Sequence, residues 1–192
     1  APTAPQPLKR IDVSRYATAP AAASPTQVLA ATNGKVYVTL NDVADASWKQ
    51  VPGANGKLVV IDPVTDTVVG DTALDLGPDC LNASAMAQAG TTLWIACGYY
   101  DFVDVRGGGL LPVAIGGATP VPGAVVRTQR ASDGRPIALD ALALCGGSGY
   151  AGAVDSGTVL RFDPSTGAVS GSSVVCPGGQ YGSYVPDLAC VR

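Results

Sequence analysis

The chain has no histidine and no glutamate. Chemistry that leans on an imidazole as acid, base or nucleophile activator is therefore excluded within it. All 15 acidic residues are aspartates, and the only lysines are Lys9, Lys35, Lys49 and Lys57. Losing Glu and most Lys removes strong surface-helix formers and leaves residues that prefer turns and strands. Charged residues are only 14% of the chain. The net charge is −3, the pI is about 4.7, and the arginines are scattered. No basic stripe exists for nucleic acid to follow, so nucleic-acid binding is not expected. No apolar run approaches the roughly 20 residues of a membrane-spanning helix.

Hydrophobic residues make up 47% of the 192, mostly Ala and Val, and 24 Gly and 15 Pro punctuate them. This composition predicts an all-β protein. The stretch Gly56–Gly70, GKLVVIDPVTDTVVG, shows the local design. Lys57 to Ile61 is one β-branched run and Thr67 to Val69 is another. Between them, Pro63 pre-sets φ for a turn and Asp62 is placed to bond the backbone two residues on. The pair reads as a β-hairpin. The same design returns as Thr158–Phe162, Asp163-Pro164-Ser165-Thr166-Gly167, and Ala168–Ser170.

Residues 1–25 are rich in Ala, Pro, Ser and Thr and predict an extended tether. Its opening, APTAPQP, looks like a mature N-terminus left by signal-peptide removal. Within it, Arg10 to Ser14 alternates and predicts one strand added to a sheet edge. Residues 26–192 then divide into repeats. Val28–Ala31, a Thr32-Asn33-Gly34 turn and Lys35–Asn41 precede the Gly56–Gly70 hairpin. A second unit opens with Ser84–Ala87, a Gln88-Ala89-Gly90 turn and Thr92–Cys97, with Leu110–Ile115 and Ala124–Arg127 as outer candidates. A third runs Ile137–Leu144, Tyr150–Val154, Thr158–Phe162 and Ala168–Val175. A fourth begins at Tyr184–Cys190. Gly34 and Gly90 lie 56 residues apart, and Pro63 and Pro164 lie 101 apart. Units of about 50 residues with four strands each are the β-propeller signature.

Tyr37-Val38-Thr39-Leu40-Asn41, followed by Leu58–Asp62 and Thr65, resembles the YVTN/YncE-type β-propeller repeat. The match is good in the first unit, keeps only the hairpin in the third, and is poor in the second. The resemblance implies a ring of four-stranded blades, usually seven, with varied roles on cell surfaces and in the periplasm. About three and a half blades is half such a ring, and an open half would leave long edges and an uncovered face. We therefore expect the missing blades from a second polypeptide, as after cleavage near Arg192, or from a second copy of this chain, or from further sequence. A smaller self-contained sheet assembly is the plainer alternative.

Five cysteines without a metal-type CxxC fit an oxidising, extracytoplasmic setting: periplasmic, secreted or cell-surface. Their placement suggests disulfides Cys80–Cys97 and Cys176–Cys190. Cys145 is left as a buried free thiol or a bridge to the completing chain. No cofactor is expected, although Ca²⁺ would suit carboxylate and carbonyl ligands. Its candidate ligands are Asp42 and Asp45 in one loop, and Asp101 and Asp104 in another, where turn formation is the commoner role of Asp. Asn82-Ala83-Ser84 fits a glycosylation sequon. Tyr99, Tyr100, Tyr181 and Tyr184 are candidates for a ligand or partner face, while Trp94, on a strand, is expected to pack between blades. Two functions follow. One is a binding or structural-assembly subunit. The other is a propeller-scaffold enzyme subunit of hydrolase, lactonase or dehydrogenase type, using Asp, a metal or a partner-supplied site.

Overall fold

The computed structural model describes residues 9–44, 49–100, 105–129, 134–154, 156–174, 185 and 187–190. Among them it is all-β, with a single 3₁₀ turn at Ser14–Tyr16. Three antiparallel sheets follow one another along the chain. Sheet 1 contains β1 (Ser24–Ala30), β2 (Val36–Asn41) and β5 (Lys57–Asp62); β6 (Thr67–Val68) and β7 (Leu74–Asp75) both pair with β5. A small ribbon, β3 (Val43–Ala44) with β4 (Lys49–Gln50), interrupts it. Sheet 2 contains β8 (Ala83–Ala89), β9 (Thr92–Tyr100) and β10 (Val105–Ala114), with β11 (Val121–Pro122) and β12 (Val126–Arg127) on its outer edge. Sheet 3 is a plain four-stranded meander of β13 (Leu139–Cys145), β14 (Ser148–Ala153), β15 (Thr158–Phe162) and β16 (Val169–Val174).

The first two strands of each sheet are joined by a tight turn carrying Gly34, Gly90 or Gly146, and all three have positive φ. These glycines are spaced 56 residues apart in both intervals, so the three sheets are one repeated unit. Alternation along each strand then sends side chains to two faces. Tyr37 and Leu58 of sheet 1 meet Met86, Ile95, Leu111 and Val113 of sheet 2 in one apolar layer. Trp94, Ala96 and Leu110, on the other face of sheet 2, meet Leu142, Ala151, Leu160 and Phe162 of sheet 3 in a second. The sheets are therefore stacked face to face. Buried hydroxyls stitch the inner strands: Thr39 Oγ1 donates to Ser84 O at 2.9 Å, and Ser84 Oγ donates to Leu139 O at 3.0 Å.

Arg10–Ser14 does not add a strand to a sheet edge. Asp12 accepts the Ser14 amide at 2.9 Å, and this local bond turns the chain into the 3₁₀ turn. The segment forms a strap instead, with Val13 and Tyr16 packed over Val38, Leu40 and Val59 on the back of sheet 1. Lys57 Nζ pins it, donating to Tyr16 O at 2.6 Å and Thr18 Oγ1 at 2.7 Å.

Cys80 and Cys97 are joined, as their placement suggested, and both lie in the layer between sheets 1 and 2. The bond closes a separation of 17 residues, which in the chain-entropy model contributes about 3 kcal/mol. A Cys80→Ala/Cys97→Ala variant should therefore unfold at a clearly lower urea midpoint. An unchanged midpoint would show that the pair constrains nothing. The second pairing differs from expectation. Cys190 bonds Cys145, with their Cα atoms 5.6 Å apart, so Cys145 is neither a free thiol nor open to another chain. The reason is spatial: Cys145 ends β13, and the C-terminal segment comes back across that strand. Cys176, the expected partner, lies outside the described residues.

Candidate functional site

The repeated feature of the stack is a row of three side chains on the forward face of each sheet. Strand pairing sets it. In sheet 1, Tyr37 stands between Leu29 and Val60. In sheet 2, Trp94 stands between Ala87 and Pro112. In sheet 3, Tyr150 stands between Ala143 and Arg161. Each row thus has an aromatic on the second strand, and those of sheets 1 and 2 face the following sheet.

What receives the aromatic is also repeated. The residue before it pairs with the third strand of its own sheet: Val36 with Ile61, Leu93 with Val113, Gly149 with Phe162. Two residues beyond those partners come Pro63, Ile115 and Pro164. Trp94 Nε1 donates to Pro164 O at 2.9 Å, and its ring meets Phe162 edge-on at 5.4 Å between centroids. For Tyr37 the link runs through Asn33, whose Nδ2 donates at 2.9 Å both to the tyrosine oxygen and to Ile115 O. So the polar end of one sheet's aromatic meets the same carbonyl position of the next. Gly167 makes room for the indole: it holds φ 77°, and a Cβ there would stand 2.6 Å from the ring.

At the forward end of the stack, Tyr150, Ala143 and Val159 are half-buried. Arg161 flanks them and donates to Ser148 Oγ at 2.9 Å. The far side of this face carries Gly152, over which Val185 sits, and the Cys145–Cys190 bond. Sequence reasoning missed Tyr150; an aromatic recurring on the second strand, at intervals of 57 and 56 residues from Tyr37 through Trp94, was the signal.

Other candidates fall differently. Asp42 is buried and ion-paired with Lys57 at 2.5 Å, and it also accepts the Thr18 amide at 3.1 Å. Among the described residues no cluster of three or more metal-type ligands occurs. Asp45, Asp101, Asp104, Tyr181 and Tyr184 lie outside the described residues. Tyr99 and Tyr100 end β9, paired with Arg106 and Val105. Ala83 and Ser84 of the sequon are buried in the inner strand of sheet 2. A cleft of about 510 Å³ opens where sheets 1 and 2 splay, floored by Tyr37, Leu58, Val60 and Ile115 and rimmed by Lys35 and Asp75.

The two Asp-Pro turns share an electrostatic signature. Lys35 holds the Asp62 carboxyl below the usual range, helped by the Val64 amide; at Asp163 the Ser165 hydroxyl and amide do the same. A carboxyl depressed on folding contributes stability above its unfolded pKa of about 3.9 and loses it as pH falls through the lower folded value. The denaturation midpoint should therefore decline below about pH 4. Lys35→Met should make that decline shallower, and an identical acid profile for the variant would refute the assignment.

No family model matches the chain, and no curated protein matches it. Thirteen solved chains do. One, from a study of two prolyl endopeptidases, is 17% identical over 76% of this chain and 19% of its own, with a TM-score of 0.43. The extracellular domain of a putative one-component system of B. thetaiotaomicron is 12% identical over 81% of this chain and 28% of its own, with a TM-score of 0.30. The chain spans less than a third of either.

Proposed function

We propose that this chain is a run of three β-propeller blades that serves as a binding or structural-assembly module outside the cytoplasm, completed by a second polypeptide. The observation that supports it is the forward row. Tyr37 and Trp94 are each covered by the next sheet, whereas the equivalent Tyr150 is half-buried at the end of the stack. Stacked repeats bury their apolar faces only against neighbours, so an end row of the same make is a docking surface. A second copy is the poorer fit. The matching back face of its sheet 1 is already covered by its own strap, which the Lys57–Asp42 pair holds down. The half-exposed Cys145–Cys190 bond and the buried Cys80–Cys97 bond suit an oxidising compartment.

Native mass spectrometry of the protein purified from its source tests this. A complex with a different polypeptide supports the module. A species of twice the chain mass would replace the second polypeptide by a second copy. A lone 19.2 kDa chain at physiological concentration would end the reading in favour of a self-contained stack.

A further inference from the structure

The two joints between the sheets are filled unequally. At the joint of sheets 2 and 3, Trp94 and Phe162 meet edge-on, and the turn carrying Pro164 and Gly167 closes over the indole. At the joint of sheets 1 and 2 the same positions hold other groups. Tyr37 replaces Trp94, Val113 replaces Phe162, and an exposed Ala118 stands where Gly167 stands in the next sheet. The outer wall differs too. In sheet 3 the fourth strand, β16, runs along the whole of β15. In sheet 1 it is broken, because β6 ends at Val68 and β7 begins at Leu74. The cleft of about 510 Å³ is what these differences leave open. Ligand sites usually hold about 300–1,000 Å³.

Two observations say what fits it. The first is Tyr37, which lines the cleft and is 2% exposed. Its oxygen accepts the Asn33 amide at 2.9 Å, but its own proton has no acceptor among the described residues. The carbonyl that the repeat places there, Ile115 O, is already taken by Asn33. A buried hydroxyl proton needs an acceptor, so the guest brings one. The second is charge. Among the described residues, ion pairs commit Lys35 to Asp62, Lys57 to Asp42 and Arg127 to Asp79. Asp71 and Asp75, on the broken wall, are exposed and meet no cation there. Asp75 Oδ1 holds Asn55 Nδ2 and the Gly77 amide, which leaves Oδ2 for a guest. Tyr37 pairs with Val60 and Asp75 with Lys57, so the two groups lie three residues, or about 10 Å, apart along β5.

We propose that this cleft binds an extended peptide segment of a partner protein, one that carries an aromatic residue and, two positions on, a Lys or Arg. The aromatic ring enters over Leu58, Val60 and Ile115 and fills the joint as Trp94 and Phe162 fill the next one. A backbone carbonyl of the peptide takes the Tyr37 proton, as Pro164 O takes that of Trp94. Residues i and i+2 of an extended chain share a face. The basic side chain therefore lies on the same side as the ring, and its length covers the remaining distance to Asp75. The cleft lies wholly within sheets 1 and 2. The inference rests on the binding reading of the chain and not on a completing polypeptide.

An end-blocked hexapeptide, Gly-Gly-Trp-Gly-Arg-Gly, titrated into the isotope-labelled protein tests this through its amide shifts. Saturable shifts are expected at Ala73, Leu74, Gly116 and Gly117. Replacing the peptide's Trp by Ala should weaken binding at least about tenfold, the loss of a buried aromatic anchor. Replacing its Arg by Glu should weaken it about fivefold or more, since an exposed attraction becomes a repulsion. Asp71→Asn/Asp75→Asn keeps an oxygen for Asn55 and Gly77 but should remove most of the difference between the Arg and Glu peptides. Ala118→Trp, which puts an indole at the mouth of the joint, should abolish binding. The peptide series leaves the protein untouched, so the test does not depend on how that variant folds. No saturable shift, equal binding of the Trp and Ala peptides, or shifts confined to sheet 3 overturns the assignment. The two readings fail separately. Failure of the peptide beside a complex in native mass spectrometry removes the cleft site and keeps the module. Peptide binding by a lone chain keeps the cleft site and removes the completing polypeptide.

Discussion

Lys57→Met should destabilise the fold by about 3–5 kcal/mol, the cost of leaving one charge of a buried pair without its partner. The Asp42 side chain is 1% exposed and that of Lys57 is 15% exposed. Asp42 Oδ2 takes the ammonium at 2.5 Å, and Oδ1 is buried with no hydrogen-bond partner among the described residues. Among the described residues, the carboxylate without Lys57 would keep only the Thr18 amide. The strap would also lose its two anchors at Tyr16 O and Thr18 Oγ1. Set against a typical total of about 5–15 kcal/mol, this is a large fraction of the stability. The double variant Asp42→Asn/Lys57→Met separates the causes. It leaves no charge buried, so it should recover most of the loss while the strap still exchanges faster at Ala17 and Thr18. Chemical denaturation of both variants, with amide exchange on the strap, checks this. A single variant that loses under about 1 kcal/mol, or a double no better than the single, would show that the pair is not the fastening described.

The strands were legible because their sequences carry local chemistry that tertiary packing reinforces. Thr158–Phe162 is a strand over those same residues, and the Asp-Pro turns fall where Pro63 and Pro164 place them. Alternation also assigned Trp94 to the space between sheets, since Leu93 and Ile95 on either side face the other layer. Three features were not legible, and each depends on a long-range partner. Asp42 reads as a turn or ligand aspartate until Lys57, 15 residues on, is brought beneath it. The strap reads as a tether because its Ala- and Pro-rich composition hides two anchors, Val13 and Tyr16, that need a sheet face to bind. Cys190 pairs with Cys145 at a separation of 45, which spacing alone does not favour over the nearer Cys176. The candidate site was half legible. The tyrosines near loops drew attention as polar aromatics, whereas Tyr150 inside a strand resembled ordinary core until the register aligned it with Tyr37 and Trp94.

Trp94→Ala should cost about 3–5 kcal/mol and uncouple sheet 3 from sheet 2. The indole is 2% exposed and fills the layer against Phe162, so its loss leaves a cavity with rigid sheets on both sides. Pro164 O loses its donor as well. Trp94→Phe divides these terms. It keeps an aromatic against Phe162 but returns no N–H, so it should cost only about 1–3 kcal/mol. Location is the sharper check. In Trp94→Ala, amide exchange should accelerate across β15 and β16, which hold the Asp163–Gly167 turn, and much less across β1 and β2, which rest on the Tyr37 layer. Uniform acceleration would mean the stack unfolds as one body and the row has no local role. Gly167→Ala approaches the same contact from the other side. It adds a Cβ 2.6 Å from the indole at a φ of 77°, where an L side chain is strained in any case. The same exchange pattern from both variants would place the coupling between sheets 2 and 3 at the meeting of this aromatic and this turn.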